Sequence, residues 1–305
     1  MKFSFLGLEI MLTRQQSKEA CLALSDVKLT NDELVHYIQN LANQDIADRI
    51  QSVICTVDQG EENIKKTLSS EGVVIIPDFI PKNILKDVAL ELSEIREKIS
   101  AFMSTGQSVN EEESVLFQQG NAKLSGYVAL SGYGKTVVQV RHGQDQGMID
   151  IFNIDEWQAS LGERLRPYFE QQLISQVMDM GDARPEARNL NLYLNNGVTQ
   201  TRGFHVDSYS KQLKGFVYLE DCLRLDDGPY TYVKKSHLES SFTRINKHIS
   251  SVLPNNTETP CVPLRNIVPI LAKKGALVIS DQGGSHRGFP QSMGHQRAVA
   301  VMNFR

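Results

Sequence analysis

The strongest constraint on the fold lies in the C-terminal part of the chain. From residue 188 onward the sequence is almost wholly a succession of short β-type runs: Leu190 to Asn195, Leu213 to Leu219, Pro229 to Val233, Gly275 to Ser280 and Ala298 to Phe304, with turn residues between them. Short strands punctuated in this way predict a sandwich or barrel rather than a parallel α/β sheet.

The earlier part reads differently. Residues 30 to 54 predict a helix, because Thr30 and Glu33 form a capping box and Leu34, Ile38, Leu41, Ile46 and Ile50 recur on one face. That face is a packing face. At Gly72 the texture changes: Val73-Val74-Ile75-Ile76 is a β-branched run closed by Pro77, and Pro81 opens an amphipathic stretch to about Ile99. Residues 103 to 125 are polar and predict a mobile surface segment, a possible lid. Gly126 to Val140 and Met148 to Ile154 carry strand patterns, and Asp155 to about Met180 predicts a helix with Asp155 as its N-cap. The resulting division is a helical N-terminal extension over 1–70 and a β-rich domain over 71–305.

Composition narrows the function classes. Lys and Arg number 32 against 36 Asp and Glu, a net charge of −4, and the basic residues form no stripe, so nucleic acid is excluded as a partner. The four cysteines, Cys21, Cys55, Cys222 and Cys261, show no CxxC spacing and suggest neither a zinc knuckle nor a disulfide framework, which fits a reducing cytoplasm. The apolar run Phe3 to Leu12 is interrupted by Glu9 and lacks a small-residue cleavage site, so it does not read as a secretion signal. No stretch approaches the roughly 20 apolar residues of a membrane span. The oligomeric state is not set by these features.

His205-Val206-Asp207 is the most informative triplet. Side chains two apart on a strand share a face, so an imidazole and a carboxylate can converge on one ion while Val206 points away. A second histidine completes a 2-His-1-carboxylate triad that leaves positions open on Fe(II). His286 fits, because it follows the buried-strand run Gly275 to Ser280. His237 follows another strand but sits close behind the first pair and has no arginine at a matching distance, which favours a structural role; His36, His142, His248 and His295 read as surface or capping residues. Arg297 lies eleven positions beyond His286, and a hairpin turning between Gln291 and Ser292 would set the two opposite each other. Its guanidinium fork suits a carboxylate, and a charge opening the buried run Ala298 to Phe304 needs a partner.

These elements, with Leu219-Glu220-Asp221, Asp227-Gly228-Pro229, Ser236-His237 and Gly275-Ala276-Leu277-Val278 between them, occur in an order that resembles the phytanoyl-CoA dioxygenase family of Fe(II)/2-oxoglutarate oxygenases. The resemblance covers residues 72 to 305. It implies a double-stranded β-helix (a cupin-like jelly roll) with flanking helices. It also implies iron held by His205, Asp207 and His286, 2-oxoglutarate held by Arg297, and O2 as oxidant. The sequence departs from the family pattern in having Lys234-Lys235 before Ser236-His237, and Gly288 where a hydroxyl residue is common. Tyr193 and Tyr218 stand on strands flanking the triplet, either as lining of the co-substrate pocket or as core aromatics. Arg202, Lys211, Asn195, Arg141 and Asp145 fall in segments that could reach the pocket mouth.

The implied reaction hydroxylates a carbon of a small-molecule substrate, with release of succinate and CO2; retention of the Asp207 carboxylate favours this, or a related desaturation or ring closure, over halogenation. Two other readings share the ligands: a non-catalytic metal-binding jelly roll, and a zinc or manganese hydrolase or isomerase. Neither requires Arg297.

Overall fold

The structure, a computed structural model, describes residues 2–5, 8–11, 13, 15, 31–105, 115–119, 135–177, 186–252 and 257–304. Two short strands, β1 (Lys2–Phe5) and β2 (Leu8–Met11), pair with each other. Helices α1 (Asn31–Gln39), α2 (Asn43–Gln51) and α3 (Glu61–Glu71) lead to β3 (Val73–Ile76) and the long α4 (Lys82–Thr105). Strands β4 (Val115–Gln119), β5 (Thr136–Val140) and β6 (Met148–Phe152) precede α5 (Ala159–Phe169) and α6 (Gln172–Val177). The remainder comprises β7 (Ala187–Asn196), β8 (Leu213–Tyr218), β9 (Tyr230–Val233), α7 (Ser241–Val252), β10 (Ile267–Pro269), β11 (Leu277–Asp281), β12 (His286–Gly288) and β13 (Gln296–Phe304).

Eight strands form a large sheet in the order β3-β11-β8-β13-β7-β6-β5-β4, and a second sheet runs β10-β9-β12. The segment around His205 adds to the second sheet through its bridge to His286. From β7 onward, successive strands therefore alternate between the layers, with only β9 and β10 falling consecutively in the same one. That alternation is the winding of a double-stranded β-helix, with helices against its outer faces.

Side-chain periodicity explains the layers. On the large sheet Leu192, Leu213, Val217, Ile279, Ala298 and Ala300 face α4 and α5, where they meet Val88, Leu92, Ile95, Leu161 and Leu165. Each large aliphatic side chain buried there contributes about 1.5–3 kcal/mol. The alternate positions Phe216, Tyr218, Val278, Val299 and Val301 turn inward and meet Tyr232, Val268 and Ile270 of the small sheet. The outer face of the small sheet, with Val233 and Ile267, packs against Leu34 and Ile38 of α1.

Several expectations need correction. The helix over 30 to 54 is two helices, because the Asn40 amide donates 2.7 Å to the His36 carbonyl and closes α1 early. Thr30 lies outside the described residues. Asp155 is not an N-cap: it sits in a short 3-10 turn, Ile154–Glu156, and its carboxylate accepts from Arg166 Nε at 2.6 Å. The single helix foreseen beyond it is broken into α5 and α6. Within the polar stretch 103 to 125, Val115–Gln119 forms an edge strand parallel to β5, since Val115 and Phe117 are buried; 106–114 and 120–134, where a lid was foreseen, lie outside the described residues.

Candidate active site

His205 and His286 are held by a reciprocal pair of backbone bonds, His205 N to His286 O at 3.0 Å and His286 N to His205 O at 2.8 Å. Their rings lie 4.6 Å apart. Asp207 is fixed two residues on, where its N–H donates to the Gln282 carbonyl at 3.1 Å. Strand alternation then does what the triplet predicts. Ligand atoms of His205, Asp207 and His286 lie within 4.8 Å of one another, while buried Val206 turns away toward a separate cavity behind the sheet.

The protonation pattern suits a divalent metal. His205 Nδ1 is 2.8 Å from the Gly203 carbonyl and His286 Nδ1 is 2.9 Å from the Gly284 carbonyl. A carbonyl only accepts, so each Nδ1 carries a proton, and each Nε2 is the ring atom turned to the other ligands. Burial, the neighbouring His286 and Arg202 together push the His205 imidazolium well below its ordinary range, so the neutral ring prevails. Burial opposes ionisation of Asp207, but Lys214, His286 and His205 outweigh it and hold the carboxyl well below the usual carboxylate range. Two imidazoles and one carboxylate form a donor set suited to Fe(II), and the arrangement fits that ion.

Lys214 was not foreseen from the sequence. It sits on β8 with its side chain only 6% exposed, and its Nζ lies 2.5 Å from Asp207 Oδ2. That contact leaves Oδ1, 3.7 Å from His286 Nε2, as the oxygen facing the histidines. The available signal was a lone lysine inside the apolar run Leu213 to Leu219, which burial obliges to find a partner. Tyr230 was missed as well. Its ring stands 5.6 Å from His286 and 5.1 Å from Phe216, and its hydroxyl is 3.1 Å from Ser280 Oγ.

Arg297 opens β13 as a buried side chain. Its Nη1 donates to the Gly228 carbonyl, while Nε has no hydrogen-bond partner. An orphaned guanidinium nitrogen in a buried site fits a carboxylate ligand such as 2-oxoglutarate. The hairpin expected to face it with His286 does not form. His286 pairs with Tyr232 of β9, and Arg297 pairs with Asn195 of β7. Spacing arithmetic assumed one sheet, but the chain changes layers between β12 and β13. The turn that does form lies two residues further on, over Met293–Gly294, closed by His295 N to Ser292 O at 3.2 Å, while Gln291 bridges to Asp227.

Tyr218 is fully buried beside Arg297 among the inner-face residues, and its hydroxyl is 3.4 Å from the Ile270 carbonyl. Tyr193 is half-buried on the same face, opposite Val299. His237 is not among the converging ligands: its Nε2 lies 3.0 Å from the Ser69 carbonyl at the end of α3. His295 pairs with Asp227 at 2.8 Å. Of the polar residues foreseen near the mouth, Arg202 pairs with Glu258 at 2.5 Å and Arg141 with Asp150 at 2.6 Å, and Asp145 accepts from the Arg202 N–H at 3.0 Å.

No family model and no curated protein matches the sequence. Solved structures match the fold. Against the non-heme alpha ketoglutarate dependent carbocyclase SnoK from nogalamycin biosynthesis the TM-score is 0.52 at 13% identity, covering 82% of this chain and 85% of that one. Against AviO1 from Streptomyces viridochromogenes Tue57 it is 0.51 at 13% identity, covering 80% of this chain and 94% of that one. At this identity the likeness is one of fold. No helix among the described residues is long and apolar enough to cross a membrane.

Proposed function

We propose that this chain is a cytoplasmic Fe(II)- and 2-oxoglutarate-dependent dioxygenase of the phytanoyl-CoA dioxygenase type, hydroxylating an unactivated carbon of a small molecule. Candidate substrates are a lipid, an amino acid or a secondary metabolite. The observation that carries the reading is the pairing of two features. His205, Asp207 and His286 offer converging ligand atoms, and Arg297 lies buried with an unpartnered Nε. A hydrolase or a passive metal site accounts for the first feature but not for the second.

In this reading His205, His286 and Asp207 would hold the metal, with Asp207 Oδ1 the oxygen that faces the histidines. Iron, 2-oxoglutarate and O2 together supply the oxidation: one oxygen atom enters the substrate C–H bond, the other enters succinate, and CO2 leaves. The chain's own work is orientation. Lys214 pins one Asp207 oxygen, so the carboxylate presents the other. The Gly228 carbonyl fixes the guanidinium plane of Arg297, which then meets the distal carboxylate of the co-substrate. Phe216 and Tyr230 form an aromatic wall beside His286 that keeps water from the ring. The retained Asp207 carboxylate occupies the position a halide would need, which favours hydroxylation over halogenation.

The test is anaerobic addition of Fe(II) followed by 2-oxoglutarate. A weak visible absorption band from a metal-bound keto acid is the expected result, and its absence in metal-loaded protein would overturn the assignment.

A further inference from the structure

The inner face of the large sheet carries more polar groups than the metal and co-substrate reading uses. Partners in register share a face, so the pairing maps this surface. Arg297 stands beside Asn195, Val299 beside Tyr193 and Tyr193 beside Asp150; Val301 stands beside Asn191, and Asn303 beside Lys214. The intervening residues Leu190, Leu192, Leu194, Ala298, Ala300 and Met302 all point outward to the helices.

Asp150, Asn191, Asn195 and Asn303 are each at least nine-tenths buried. Yet Asp150 Oδ1, Asn191 Nδ2, Asn195 Oδ1 and Asn303 Oδ1 have no hydrogen-bond partner. The opposite atoms of two of them are engaged: Asp150 Oδ2 accepts from Arg141 Nε at 2.6 Å, and Asn191 Oδ1 accepts from the Asn153 N–H at 3.1 Å. Those two side chains are thus oriented with one polar atom left over. A buried polar atom without a partner costs about 1–3 kcal/mol, so four on one face are a substantial cost to a fold that gains nothing from them. An apolar substrate would leave that cost in place.

We propose that this face is the substrate subsite and that it takes a polar small molecule bearing several hydroxyl or amino groups, not a fatty acyl chain. The inference rests on the oxygenase reading for the position of the chemistry. Substrate donors meet Asp150 Oδ1 and the Asn303 amide, and a substrate oxygen meets Asn191 Nδ2. Tyr193 and Phe216 supply flat apolar surface against which a ring can lie. Asn195, next to Arg297, belongs to the end of this face nearest the proposed co-substrate clamp.

Two measurements test this. The first needs neither iron nor turnover: Asn303→Leu in the metal-free protein removes an amide whose Oδ1 has no hydrogen-bond partner, so the melting temperature should rise. A fall would show that the amide holds the fold and would overturn the subsite.

The second uses the full chain loaded anaerobically with Fe(II) and 2-oxoglutarate. Amino sugars, aminocyclitols and polyols are titrated in parallel with hexanoyl- and palmitoyl-coenzyme A, with perturbation of the absorption band as the binding signal. Binding by members of the polar group is expected, with the dissociation constant raised about tenfold or more in Asp150→Asn and Asn191→Leu. Binding by the acyl thioesters alone, by no polar member, or with affinities that neither variant moves, overturns the proposal. If the band never forms, the oxygenase reading fails instead, and the melting measurement still decides whether the face is a polar subsite.

Discussion

Lys214 Nζ lies 2.5 Å from Asp207 Oδ2, so the carboxylate of the proposed metal triad is half-committed to a buried cation. The lysine acts through the aspartate rather than on a ligand of its own. Lys214→Met should weaken Fe(II) binding by about 10–100-fold, the usual effect of losing an orienting partner behind a ligand. Lys214→Arg should restore part of the loss. A metal titration reads both, and equal affinity in the folded Met variant would show that Asp207 is oriented without the lysine.

The triad itself is tested by contrast with a histidine outside it. His205→Ala, Asp207→Ala and His286→Ala should each strip iron and abolish succinate formation. His237→Ala should leave iron content near that of the unaltered protein, since its ring bonds the Ser69 carbonyl and not the metal ligands. Metal analysis after gel filtration checks the set, and retention of iron by the His286 variant alone would move the third ligand elsewhere.

Arg297 discriminates between functional classes. Removing a charge-assisted partner of a buried carboxylate costs about 2–5 kcal/mol, which corresponds to a roughly 30-fold to several-thousand-fold rise in the 2-oxoglutarate dissociation constant. Iron binding should barely change. Lys in its place should rescue only partly, because one ammonium cannot reproduce a planar fork. Anaerobic titration of Arg297→Ala, with folding checked separately, gives the answer; unchanged 2-oxoglutarate affinity would remove the clamp.

Gly228 carries that clamp from behind. Its φ is 69°, and a Cβ there would collide with Gln291 Cγ and come within 2.9 Å of the Phe289 carbonyl. Gly228→Ala must therefore shift the very carbonyl that holds Arg297. The expected result is a loss of about 1–3 kcal/mol in stability together with weaker 2-oxoglutarate binding at unchanged iron affinity. Denaturant unfolding and the same anaerobic titration separate the two effects.

The legible parts of the sequence were local ones. An HxD triplet states its geometry in three residues, because the two-residue period of a strand puts His205 and Asp207 on one side whatever surrounds them. A buried arginine at the head of an apolar strand likewise announces that it needs a partner. What required the third dimension was any relation between separate strands. Lys214 meets Asp207 from another strand, Tyr230 reaches His286 from a neighbouring one, and the polar inner face is assembled from β6, β7 and β13. The failures at Asp155 and at residues 40–42 have a local cause, since both an aspartate and an asparagine found side-chain partners that ended or replaced the expected helix.

The change of layer between His286 and Arg297 has a mechanical consequence. Eleven residues apart in the chain, they belong to opposing sheets, and packed sheets stand roughly 10 Å apart. In the proposed enzyme, a dicarboxylate gripped at one end beside His286 and at the other by Arg297 spans that gap like a bar held in a caliper. The jaws are set by the aliphatic and aromatic packing of Phe216, Val299, Tyr232 and Val268 rather than by either gripping residue. Co-substrate length is thus gauged by the thickness of the core, and a mutation that thins it, such as Val299→Ala, should relax discrimination between five-carbon and four-carbon keto diacids without touching a ligand.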